Sequence, residues 1–325
     1  TRTLSAQLGD LRNALVTYTH GSTTQDALRD FAAGFDQLSN STITPEMSKA
    51  IDGFYADFAK ETEKDSGTRL DVAALLPTSN AERYLQAVYS ARVPTNDLAL
   101  AMNDEHDGSA WSAANAKYHG FYREIVSRFA FEDALLLDSR GNVVYSTYKN
   151  PDLGTNILTG PYNGSKLRDA YIQAISSNKE DRVIFTDFEF YQPSNMAPTA
   201  WMVAPVPATG KPEGVLALQF PITKVNKVMT FDKKWSEAGM GQTGETILAG
   251  EDFLMRSDSR LFIEDPERYR AKVIDAGTPP DIPDIAIRQG GTTLIQPVAA
   301  AAHKEAQKGY DGTLITKDYL GDDTI

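Results

Sequence analysis

Residues 239–244 read Gly-Met-Gly-Gln-Thr-Gly, the G-x-G-x-x-G spacing with which dinucleotide-binding proteins wrap a pyrophosphate. Other groups could also do chemistry. Glu245, Glu251 and Asp252 stand close together, and paired carboxylates can serve as acid and base. Ser257-Asp258-Ser259 offers a serine beside an acid, and four histidines occur, at 20, 106, 119 and 303.

Context decides each case. A phosphate loop needs a strand before its first glycine and a helix opening after its last. Here residues 232–238 read as a helix end with a loop, while Thr246-Ile247-Leu248-Ala249 is β-branched and apolar, a strand pattern. Gly239 then reads as a helix C-cap and Gly241 as a turn residue. No G-x-x-x-x-G-K-[ST] occurs elsewhere. In so acidic a chain the neighbouring carboxylates read as solvated loop residues. The serine has no histidine partner and no G-x-S-x-G elbow. The histidines lack metal-ligand spacing, and His119 reads as a surface or half-buried helix residue. Arg256 with Asp258 reads as an ion pair pinning a turn. Neither catalysis nor a metal or cofactor is expected.

The elements that would position a site follow from periodicity. The 325 residues, 41% apolar and 23% charged, suffice for two or three domains. A net charge of −12 argues against a nucleic-acid partner. The absence of cysteine fits an oxidising compartment, although cytosolic chains can lack it too. No run approaches ~20 apolar residues, so no membrane span is expected within the chain. The sequence opens in helical pattern and stops in strand pattern at Asp-Asp-Thr-Ile, as a piece of something longer would.

Residues 1–130 are helix-rich. Leu4, Leu8, Leu11 and Leu15 form one stripe; Leu28, Phe31, Phe35 and Leu38 form a second, with Thr23 or Thr24 as its cap. Thr44-Pro45 begins a third helix, followed by helical pieces at 78–91, 95–103 and 109–129. Then 134–138 and 143–145 read as strand, turn, strand around Ser139-Arg140-Gly141-Asn142. A helix at 164–178 and strands at 182–188, 199–205 and 214–220 complete an antiparallel α+β unit. After a helix at 222–237, the pattern predicts short strands at 245–249, 253–256 and 291–296. Helices at 265–275, 281–288 and 299–308 and a hairpin at 312–325 complete this part.

The run Gly241-Gln242-Thr243-Gly244-Glu245-Thr246, with Leu254-Met255-Arg256-Ser257-Asp258-Ser259-Arg260, resembles the start of the membrane-proximal module of double-Cache sensor domains. Residues 131–148 (FEDALLLDSRGNVVYSTY) are similar to that family's first hairpin. Residues 152–162 (DLGTNILTGPY) and 187–198 (DFEFYQPSNMAP) are similar to its pocket-side loops, and 214–222 (GVLALQFPI) to its last strand. The resemblance covers about 110–325. It implies a helical stalk and bundle at 1–130 and a membrane-distal PAS-like Cache module at 131–222. A connecting helix at 223–238 and a membrane-proximal module at 239–325, short of its last strand, would follow.

Such domains are the extracytoplasmic, periplasmic part of bacterial inner-membrane receptors: chemoreceptors, receptor cyclases or sensor kinases. The expectation is therefore a homodimer along the N-terminal helices, flanked outside this sequence by transmembrane helices. The rival expectation is a free periplasmic binding or scaffold protein. In the family the distal module holds a small-molecule pocket, and pockets want aromatic walls with a few convergent polar groups. The candidates are Tyr145, Thr147, Tyr162, Arg168, Asp187, Phe188, Tyr191, Ser194 and Trp201. Asp187 with Arg168 could clamp a zwitterion, or both could be turn and surface residues. The Trp-Tyr that follows an arginine in the amino-acid-binding branch is missing from 160–171, so that motif supports neither an amino-acid nor an amine ligand.

Overall fold

The computed structural model describes residues 2–325, which divide into two compact units. One comprises the residues up to 63 together with 68–221, the other 64–67 with 222–325.

The first unit begins with long helices: α1 (Arg2–His20), α2 (Ser22–Leu38) and α3 (Pro45–Ser66). Shorter helices α4 (Val72–Leu75), α5 (Asn80–Val88) and α6 (Asn96–Ala101) precede the long α7 (Ala110–Phe129). Leu28, Phe31, Phe35 and Leu38 are buried, as their spacing on one helix face requires. Thr44 accepts the Met47 N–H at 3.2 Å, capping α3 with Pro45 at the position where its missing N–H costs nothing. The expected cap of α2 at Thr23 or Thr24 is corrected: Gly21 stands at the N-cap, and Thr24 is buried inside the helix. Gly34 lets α2 approach α7, since a Cβ there would lie 2.7 Å from the Trp111 backbone.

The sheet follows, with β1 (Asp133–Asp138), β2 (Val143–Ser146), α8 (Lys166–Ile175), β3 (Ile184–Phe185), β4 (Glu189–Tyr191), β5 (Ala197–Val206) and β6 (Gly214–Pro221). It is six-stranded and antiparallel, in the order β2-β1-β6-β5-β3, with β4 also paired to β5. The β1–β2 turn closes on Asp138, whose Oδ1 accepts the N–H groups of Arg140 and Asn142, with Gly141 at φ 88°. The single strand expected at 182–188 splits into β3 and β4. Asp187 turns its carboxylate onto the Phe188 N–H between them.

Both faces of this sheet are covered. On one lie Leu135, Leu137, Trp201, Val203, Val215 and Ala217, packed with Tyr171 of α8 and Tyr55 of α3. On the other, Tyr145 pairs with Leu136 and meets Phe31 of α2 at 4.7 Å and Tyr122 of α7 at 4.9 Å. Every residue of β1 and β2 is buried.

The second unit contains α9 (Ile222–Met229), α10 (Arg260–Glu264), α11 (Pro266–Asp275), α12 (Asp281–Gln289), α13 (Ala301–Gln307) and a minimal ladder of β7 (Thr316–Lys317) with β8 (Asp323–Thr324). The strands expected at 245–249, 253–256 and 291–296 are corrected to isolated bridges, Ala249 with Met255 and Leu254 with Pro297. A local turn takes two of the backbone donors, with Phe253 N–H on Gly250 O and Leu254 N–H on Asp252 Oδ1, while Met255 N–H bonds Gln296 O and Arg256 N–H bonds Leu248 O. The expected antiparallel sheet of a second PAS-like module is thus reduced to the β7–β8 ladder among the described residues. Arg256 pairs with Asp252 at 2.9 Å. Asp258 accepts the N–H groups of Thr292 and Thr293.

Candidate functional site

Within Gly-Met-Gly-Gln-Thr-Gly the amides of Gly239, Met240 and Gly244 are taken by the carbonyls of Ser236, Trp235 and Met240. Arg260 donates to the carbonyls of Gly241 and Gly244, at 3.2 and 2.8 Å, so this loop presents oxygen to a cation of the chain itself. Gly239 and Gly241 have φ of 76° and 61°, as a cap and a turn residue require. The adjoining cavity of about 500 Å³ is lined by charges that pair with one another: Arg260 with Glu264, Lys272 with Asp322 and Lys317 with Asp323.

The sheet of the first unit holds a different arrangement. Trp201 projects from β5 and meets Tyr191 of β4 edge to face at 5.1 Å; Tyr191 lies 6.4 Å from Tyr162, ring to ring. The Tyr191 hydroxyl donates to Asp152 Oδ2 at 2.9 Å. Behind the loop that carries Asp152, Gln86 of α5 donates to the carbonyls of Pro151 and Leu153, both at 3.0 Å, and accepts from the Tyr55 hydroxyl. Helices α3 and α5 thereby fix the loop against the sheet.

Three polar atoms of this cluster are fully buried without a hydrogen-bond partner: Asp152 Oδ1, Trp201 Nε1 and the Tyr162 hydroxyl, which has the Tyr55 hydroxyl beside it. Buried polar atoms are nearly always paired, and each exception costs about 1–3 kcal/mol. Other unpartnered buried atoms occur, but Asp152 supplies the one carboxylate among those found in the described residues. Burial pushes the Asp152 carboxyl up to about 7, and the nearby charge of Asp133 pushes the same way. Tyr191 and Tyr162 are both driven well above the usual phenol range by burial.

The other sheet face carries a second ionisable group. His119, fully buried where its helix pattern suggests a surface or half-buried residue, bonds Tyr145 through Nδ1 at 2.8 Å and Leu100 O through Nε2 at 3.0 Å. Lys149 donates to Ser146 O at 2.7 Å and lies over the Tyr145 ring at 4.5 Å. Burial lowers Lys149 to about 7 and His119 to about 3.

Of the nine residues expected to line a pocket, Tyr162, Tyr191 and Trp201 come together. Ser194 borders them through Gln219, which donates to it at 2.9 Å and stands opposite Trp201 in the ladder. Tyr145 lies on the opposite face, and Thr147 donates to Ala134 O and to Asp133 Oδ1 at the end of the hairpin. Phe188 packs near Phe220, 6.4 Å between rings. Of the two residues expected to clamp a zwitterion, Arg168 pairs with Asp169 at 3.1 Å, and Asp187 is exposed and accepts the Phe188 N–H. Asp152, Tyr55 and Gln86 join this cluster without a sequence signal of their own. Asp152 sits in the loop read as pocket-side; Tyr55 and Gln86 lie on helices whose patterns read as packing.

With this geometry in hand, the chain can be compared with solved structures. The sensor domain of the V. cholerae histidine kinase DctB matches at 14% identity, over 86% of this chain and 83% of that one, with a TM-score of 0.33. The ligand-binding domain of the Pseudomonas fluorescens chemoreceptor CtaA in complex with L-serine matches at 14% identity, over 66% of this chain and 74% of that one, with a TM-score of 0.31. That of the Campylobacter jejuni chemoreceptor Tlp3 in complex with 4-methylisoleucine matches at 12%, over 80% of each chain, with a TM-score of 0.31. The chain is similar to bacterial sensor domains. No family model and no curated protein matches it.

Proposed function

We propose that this chain is the extracytoplasmic sensing region of a bacterial transmembrane receptor, with a small-molecule site in the first unit at Asp152, Tyr162, Tyr191 and Trp201. The observation that carries the reading is the group of three buried, unpartnered polar atoms amid aromatic rings, the composition of an orienting ligand site. The motif runs between 131 and 260 support the receptor context. In that context, ligand binding biases two arrangements of the long helices, which requires different affinity for each. A homodimer along the N-terminal helices and membrane helices on either side belong to the same reading.

A thermal-shift screen of the purified chain against metabolites tests it, because a ligand that binds only the folded state raises Tm. Hits are expected to lose their shift in Trp201→Ala. Hits that survive both Trp201→Ala and Asp152→Asn would place the site elsewhere, and a metabolite library without a hit would remove the sensing reading.

A further inference from the structure

The loop that carries Asp152 has a second side. Between that loop, the segment from α4 to α5, the C-terminal end of α2 and the β1–β2 turn lies an open cleft of about 720 Å³. It belongs wholly to the first unit and has the size of a small-molecule site. Glu82 of α5 stands in its lining although only 6% of the residue is exposed. Gly154 allows the loop to lie this close: at φ 83°, a Cβ there would come 3.0 Å from Glu82 Cα.

The start of α5 explains where the Glu82 carboxyl sits. It accepts the Thr78 N–H at 3.0 Å, while Ser79 caps the helix by accepting the Glu82 N–H at 3.2 Å. Nothing there answers its charge, since no basic group acts on the carboxyl. Arg140, the one basic residue among the described residues of the lining, is already shared between Asp36 and Asp138. Burying a carboxylate without a cation is costly, and this one borders open space. Its charge reaches the hydroxyls of Tyr55 and Tyr162, so the floor of the cleft borders the aromatic cluster. Ser39, Thr78 and Asn163 add hydroxyl and amide groups to the lining. Among the described residues no group of three His, Cys, Asp or Glu could hold a metal ion, so the unanswered charge calls for an organic cation.

We propose that this cleft is a second binding site, taking a small organic ammonium that donates to Glu82 and to the hydroxyl and amide groups around it. The site goes beyond the one at Asp152. It uses other residues and opens to solvent on the far side of the same loop.

Two sets of probes match in size and differ in charge: n-butylamine, n-butanol and butyrate, and cyclohexylamine, cyclohexanol and cyclohexanecarboxylate. Calorimetry and thermal shift on the intact chain compare them. At least one amine should bind about tenfold or more tightly than its alcohol, the effect of one charge-assisted hydrogen bond, with the carboxylate weaker still. Glu82→Gln keeps an oxygen for the Thr78 N–H. It should abolish the amine's advantage and leave the alcohol unchanged, with circular dichroism controlling for folding. Wild type alone gives a further readout. Burial holds the Glu82 carboxyl up to about 7, so amine affinity should fall about tenfold from pH 8 to pH 6 while that of the alcohol stays level. Alkylamines stay charged over that range. Of the other ionisable groups at the cleft, Asp36 and Arg140 pair with each other, and burial keeps the protons on Tyr55 and Tyr162.

An amine that binds no more tightly than its alcohol, or with an affinity that ignores pH, overturns the cleft as a cation site and leaves the reading at Asp152 standing. So does amine binding that survives Glu82→Gln but is lost in Asp152→Asn, which would assign the amine to the other site. If no amine binds at all, the proposal falls.

Discussion

At the scale of single residues, the first unit holds an acid and a base away from their ordinary charge states. Asp152 is held at about 7 in the folded chain, against an ordinary aspartate value of about 3.9. Between those values the folded state binds a proton that the unfolded state has released, so this residue's contribution to stability falls as pH rises from about 4 to about 7. Asp152→Asn should remove that slope and leave the ligand-free chain more stable than wild type at pH 7.5, by up to about 4 kcal/mol, with the gain vanishing near pH 4. Urea unfolding across that range measures it, and a pH-independent difference would mean Asp152 is not desolvated. Lys149 works in the opposite sense. Its folded value of about 7 lies below the ordinary ~10.4, so the unfolded state binds the extra proton and stability rises with pH between them. Lys149→Met should flatten that rise between pH 7 and 10, again read by urea midpoints.

At the scale of elements, α2 approaches α7 closely at Gly34. Gly34→Ala must push the Trp111 backbone away, and should cost about 1–3 kcal/mol in urea unfolding despite alanine's better helix propensity. A neutral or stabilising result would mean the two helices separate without loss. How far such elements can be read from sequence depends on whether the signal is local. The α3 cap at Thr44-Pro45 and the Gly141 turn are written in adjacent residues and read correctly. Residues 245–256 show the limit: β-branched and apolar side chains suggest strands, but Gly250 and Asp252 take the Phe253 and Leu254 donors into a turn, and only isolated bridges form around it. Site residues follow the same rule. Trp201, Tyr191 and Tyr162 are aromatics in a sheet unit and suggest themselves, whereas Tyr55 and Gln86 lie on helices more than 60 residues before the loop they brace. Asp152 was hidden because nothing local distinguishes an acid at a loop from a solvated one. Only burial and the Tyr191 hydroxyl do.

At the scale of the whole molecule, the division into two units makes a prediction about where ligand binding is felt. Hydrogen exchange with a saturating ligand should slow amides of β1, β4, β5, α8 and the loop around Asp152, all in the unit that ends at Pro221. Protection gained first and mainly in residues 222–325 would assign the site to the other unit. The doubly covered sheet has a consequence of another kind, for how the sequence can drift. A strand with one wet face lets every second position vary freely, which leaves an alternating record in its descendants. In β1 and β2 every position is packed from one side or the other. Mutation there has no free positions to use, so these strands should diverge in step with the helices that cover them and much more slowly than the loops between.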